Sequence, residues 1–192
     1  MKVKKLSGVV LGCCLIFTTA VMAGDLTEHH EAHVHGQANM TLITEGNKVD
    51  IAIESPAMNM LGFEHEAHSD QDKKTVTKVE KILSDSSALF TFDSVNCHAE
   101  TSNVDIGHDE HETMAEETER KHQHMDIDAS YSFTCEHIEQ LQLVHVALFE
   151  LFPALSKLNV EWVNNGKQGL DVLTADSPNI RFVTSSSTFN LF

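Results

Sequence analysis

Ile127-Asp128-Ala129-Ser130-Tyr131-Ser132-Phe133-Thr134-Cys135 alternates without a break between apolar and polar side chains. Residues two apart in a strand point to the same face. Ile127, Ala129, Tyr131, Phe133 and Cys135 are therefore expected on a core, and Asp128, Ser130, Ser132 and Thr134 in water. A strand apolar on one face only belongs to an antiparallel sheet with one side open.

Working outward, Val49-Asp50-Ile51-Ala52-Ile53-Glu54 has the same period. Glu45-Gly46-Asn47-Lys48 before it is a turn, and Gly36 to Ile43 reads as the strand that pairs back, making a hairpin. Leu158 to Val163 and Leu170 to Leu173, with the turn at Gly166 or Gly169, predict a second hairpin. Phe90–Cys97, Leu141–Val146 and Ile180–Val183 are further strand candidates, the last closing the sheet. Ser69 and Asp70 are good helix caps, and Val76, Val79, Ile82 and Leu83 recur at helical spacing, so a helix is expected over about 70–85. Ala57–Phe63 and Phe149–Leu155, near Pro56 and Pro153, suit short helical turns.

Residues 99–124 are mostly polar, with no broad periodic face. They read as an exposed, mobile, acidic His-rich insertion at about 99–125 between two strands. The expected class is α+β: an antiparallel sheet of hairpins, one main helix and that long loop.

The chain of 192 residues opens Met1-Lys2-Val3-Lys4-Lys5, followed by an apolar run from Leu6 to Ala20 and Val21-Met22-Ala23. A basic start, a short apolar stretch and a small-x-small end make a secretory signal peptide over 1–23. The run is too short for a good membrane span, and Cys13 after Val-Leu-Gly is a weak lipoprotein signal. Residues 24–192 then form one domain, with 10 basic against 29 acidic side chains and a net charge of −19. Such a surface repels nucleic acid and anionic lipid and attracts cations. Cys97 and Cys135 remain, and an even pair in an exported chain reads as one disulfide. The rival is a zinc site made with His98 and His137.

Glu28-His29-His30-Glu31-Ala32-His33-Val34-His35-Gly36 carries four histidines in seven positions. Neutral imidazole is the commonest ligand for zinc-like ions. If His33-Val34-His35 opens a strand, His33 and His35 share a face, with His29 and His30 less fixed before them. His108, His111, His122 and His124 form a second acidic His-rich tract, suited to weaker capture by several ligand sets. Incidental histidines in a solvated terminus and loop are the plain alternative. His65 and His68 read as a polar helix entry, and His145 as a structural residue within an apolar strand. No Gly-x-Ser-x-Gly elbow, phosphate loop, His-Glu-x-x-His helix or dinucleotide fingerprint occurs, so no enzyme is expected. The residues point to an exported carrier of a divalent metal, with zinc the first choice and copper or nickel the alternatives. A protein-interaction domain is the non-metal reading.

Ala32-His33-Val34-His35-Gly36-Gln37-Ala38, Ser55-Pro56-Ala57-Met58-Asn59-Met60-Leu61-Gly62-Phe63-Glu64-His65, Tyr131 to Cys135 and Leu148 to Leu155 resemble the zinc-regulated periplasmic proteins of the ZrgA family. The resemblance covers essentially all of residues 24–192. It implies a zinc-binding protein in the periplasm of a Gram-negative bacterium, made when zinc is scarce and working beside an ABC-type zinc importer. It assigns metal binding to the His-rich insertion, here His108, His111, His122 and His124. Thr113 to Arg120 interrupts that tract where relatives carry denser runs, which shifts weight to His33 and His35.

Overall fold

The computed structural model describes residues 34–108 and 124–182. Its strands are β1 (Gln37–Glu45), β2 (Lys48–Pro56), β3 (Phe90–Phe92), β4 (Asn96–His108), β5 (Met125–Glu136), β6 (Leu143–Val146), β7 (Lys157–Asn164), β8 (Lys167–Leu173) and β9 (Asn179–Arg181). Its helices are α1 (Met58–Leu61), α2 (Asp70–Ser84), α3 (Ser86–Leu89) and α4 (Leu148–Leu151).

β1, β2, β4, β5, β7 and β8 form a six-stranded sheet in the order β4-β5-β2-β1-β7-β8. The expected core face of β5 is buried: Ile127, Ala129, Tyr131, Phe133 and Cys135 are each at most 4% exposed. In β2 the partners Ile53, Ile51 and Val49 lie opposite Ala129, Tyr131 and Phe133 on that same face. Burying each large apolar side chain stabilises the fold by about 1.5–3 kcal/mol. The opposite face carries exposed polar residues such as Thr41, Asp50, Glu54 and Ser130.

β3, β6 and β9 form a separate three-stranded sheet. It lies over the buried face of the large one through aromatic edges. Phe90 meets Tyr131 at 5.2 Å between ring centres, Phe92 meets Phe133 at 4.8 Å, and Phe182 meets Trp162 at 5.1 Å. Such offset contacts suit rings whose edges are positive and faces negative. Burial also pushes the Tyr131 phenol well above its ordinary pKa, because the phenolate has no water there.

The main helix α2 begins where its cap demands. The Asp72 amide donates to Ser69 Oγ at 3.1 Å, and the Ser69 amide donates back to Asp72 Oδ2 at 3.2 Å, a reciprocal capping box. The Ser69 side chain is the largest cause holding the Asp72 carboxyl below its usual range, with His65 and His68 adding to it.

Four expectations need correction. The sheet is not wholly antiparallel: β1 and β7 run parallel, with Met40 opposite Val160 and Leu42 opposite Trp162. Residues 99–108 are not loop but the greater part of β4, so the strand-to-strand insertion spans at most 109–124, of which 109–123 lie outside the described residues. Ile180 belongs to β9 of the small sheet and does not close the large one. His35 stands in a turn ahead of β1, which starts at Gln37.

Cys97 and Cys135 face each other in register and are joined as a disulfide, not as a zinc site with His98 and His137. His98 pairs opposite Thr134, three positions short of His137. Among the described residues, no helix is long and apolar enough to cross a membrane.

Candidate metal-binding site

Asn59 is the anchor of the site. Its amide is 2% exposed and satisfied on both ends. Oδ1 accepts the Gly36 amide, while Nδ2 donates to the Gln37 carbonyl at 2.7 Å and to Ser55 Oγ at 3.0 Å. These bonds hold the entry to β1 against α1. The entry is a tight turn, with the Gln37 amide donating to the Val34 carbonyl at 3.0 Å. His35 takes the first central position and Gly36 the second, with φ of +81°. A positive φ at that position is what a type II turn needs and what glycine supplies. A Cβ on Gly36 would also lie 2.9 Å from Ser156 Oγ. His35 is thereby presented at a fixed place.

Glu64 arrives from another direction. The chain turns at Gly62 after α1, and Phe63 stacks on His65 with ring centres 4.7 Å apart. The Met125 amide then donates to the Glu64 carbonyl at 3.0 Å, and the Ala57 amide to the Met125 carbonyl at 2.9 Å. Glu64 is thus bonded through its backbone to the first residue of β5, next to His124.

The three side chains meet. Glu64 Oε1 lies 2.8 Å from His35 Nε2, and Glu64 Oε2 lies 2.9 Å from His124 Nδ1. The carboxylate is enclosed, with its side chain 11% exposed, whereas both imidazoles are 58% exposed. The two close contacts are not equivalent. His124 Nδ1 and Oε2 satisfy hydrogen-bond geometry. Oε1 is buried and has no hydrogen-bond partner, because the His35 ring nitrogen is near it but off the line a ring N–H would need.

Two imidazoles and a carboxylate are a recognised zinc ligand set, with Zn–N near 2.0–2.1 Å and Zn–O near 2.0–2.2 Å. Tetrahedral donors at those lengths sit roughly 3.3 Å apart, so the rings must draw back by about half an ångström. Among the described residues, no group of three or more His, Cys, Asp or Glu side chains is arranged to hold a metal ion as it stands.

The other expected ligands fall out as follows. The backbone register puts His108 opposite Met125, at the same end of the β4–β5 ribbon as His124. His29, His30, His33, His111 and His122 lie outside the described residues. His145 is half-buried, with Nδ1 2.9 Å from Asn179 Oδ1 and Nε2 3.7 Å from Glu150, as suits a structural residue. Glu64 and Asn59 were not among the residues expected from composition. Their only sequence signal was membership of the Ser55–His65 motif.

A family model described as "ZrgA family zinc uptake protein" matches residues 32–182. The chain belongs to that family. The match takes in His35, Glu64 and His124 together with every described strand and helix. No curated protein matches the sequence. Membership of the ZrgA family gives the chain a place in zinc uptake, a transport role and not that of an enzyme family.

Proposed function

We propose that this chain is a periplasmic zinc-binding accessory protein, which captures zinc through its histidine-bearing stretches and assists an ABC-type zinc importer when zinc is scarce. The observation that carries the reading is the meeting of His35 and His124. They come from the two stretches that the sequence singles out, and they share one carboxylate, Glu64. The basic and then apolar stretch at 1–23, which reads as an export signal, the net negative charge and the zinc uptake family support it. His29, His30, His33, His108, His111 and His122 are the further donors in this reading, suited to recruiting zinc from solution. Exposed imidazoles release a cargo more readily than a closed four-ligand structural site.

Equilibrium dialysis of residues 24–192 against zinc at pH 7.5 tests the reading, with copper and nickel as competitors. Zinc is expected to bind at micromolar concentration or below. An ordinary imidazole protonates near pH 6.5 and must be neutral to ligate, whereas a carboxylate stays charged to near 4.3. Binding is therefore expected to fade as the pH falls below about 6.5. Absence of bound zinc at pH 7.5 rejects the reading, and so does normal growth under zinc limitation when these histidines are replaced by Asn.

A further inference from the structure

We propose that Glu64 is itself a zinc ligand, joining the two histidine-bearing stretches into a single site of His35 Nε2, a Glu64 carboxylate oxygen and His124 Nδ1, with a fourth position open to solvent. The inference rests on the zinc-binding reading above.

The case begins with the carboxylate. Glu64 Oε1 is buried without an aligned donor, although a ring nitrogen stands 2.8 Å away. An enclosed carboxylate oxygen is costly unless a donor or a cation satisfies it. The carboxylate is enclosed between two ring nitrogens, one of which makes no hydrogen bond to it. A divalent ion between Oε1 and Nε2 supplies what the hydrogen bond does not. The missing hydrogen bond at Oε1 fits this, whereas His124 Nδ1 keeps hydrogen-bond geometry to Oε2 and gives up that bond, with any proton in it, when zinc binds.

Placement of the donors gives the second argument. His35 is held by the Asn59 clamp and the 34–37 turn, and Glu64 and His124 are held by the Glu64–Met125 backbone bond. Sites whose donors are set by the scaffold lose less entropy on binding. Glu64 is in contact with both His35 and His124, one ring at each carboxylate oxygen. Three protein ligands leave a fourth position that water or another donor can take.

A rival arrangement keeps Glu64 outside the ligand shell. The carboxylate then only orients the rings, and zinc takes His35 Nδ1 and His124 Nε2. A zinc-loaded crystal of residues 24–192, with anomalous scattering measured at the zinc edge, separates the two. Glu64 as ligand requires a peak within about 2.2 Å of a Glu64 oxygen and of both named nitrogens. A peak on the far nitrogens and beyond hydrogen-bond distance from Glu64, or peaks only elsewhere, overturns the proposal while leaving the zinc-binding reading intact. No zinc uptake by the wild-type chain removes both.

Glu64→Gln provides the solution arm. It keeps the size and removes the charge, and its metal-free thermal melt checks the fold. One zinc equivalent is expected to weaken at least tenfold, and Glu64→Gln with His35→Asn, which leaves only His124 of the set, should weaken it further. Unchanged zinc affinity in Glu64→Gln overturns the proposal.

Discussion

Asn59 shows why single residues decided this site and why composition did not reveal them. The imidazoles were conspicuous because histidine is rare and here is clustered. Asn59 and Glu64 are ordinary residue types, and their importance comes from contacts 22 to 60 positions away in the chain. Nothing in local pattern encodes such a contact. Asn59→Ala removes no proposed ligand, yet it strands the Gly36 amide and the Gln37 carbonyl at the entry to β1. A buried group left unpaired costs about 1–3 kcal/mol, and these two are half-buried, so each falls at the lower end. The variant is expected to lose about 2–4 kcal/mol in urea unfolding. It should also bind zinc more weakly than wild type at a temperature where both are folded. Wild-type affinity in a destabilised but folded Asn59→Ala chain would show that the clamp does not position His35.

Elements were legible wherever one face is buried and the other is wet. β2, β5 and α2 sit where their periodicities put them, and α2 starts at the Ser69 cap. The same rule failed at β4 for a physical reason. Beyond the bulge between Ala99 and Thr101, only Val104 and Ile106 are large apolar residues, and the strand lies at the edge of its sheet. Edge strands are commonly polar, which discourages pairing with other chains, so this one resembled a loop. The parallel β1–β7 pair was illegible because a long crossover, and not a turn, connects its strands. Gly169 was similarly ambiguous between a turn and a strand. It lies inside β8 opposite Trp162, whose ring, Cζ2 nearest, occupies the space of a Cβ. The ring is also held by Nε1 donating to Asp171 Oδ2 at 3.0 Å. Gly169→Ala must therefore displace the ring or the strand. The expected loss is about 1–3 kcal/mol, with a red shift in the emission of this single tryptophan as it moves toward water. An unshifted spectrum and unchanged midpoint would mean that β8 yields freely.

At the scale of the whole molecule, the β4–β5 ribbon separates two tasks. One end carries the Cys97–Cys135 disulfide, and the other carries His108 opposite Met125, beside His124 and Glu64. From Cys97 to His108 the strand rises roughly 35 Å, too far for direct contact between disulfide and site. The disulfide closes a loop with a sequence separation of 38, worth about 3–4 kcal/mol if its effect is to restrict the unfolded chain. Distant sites that share no partners act nearly independently. Replacing both cysteines by Ser should therefore lower stability by about 3–4 kcal/mol in urea unfolding, yet leave zinc affinity in the folded protein within about twofold of wild type. The second half of that outcome is the more informative. Glu64 is bonded to the start of β5 and His35 to the start of β1, and both strands are paired through β2 without help from the disulfide. Zinc binding that collapsed on loss of the disulfide, in a chain still folded by circular dichroism, would mean that the ribbon acts as one lever and that the two ends are coupled.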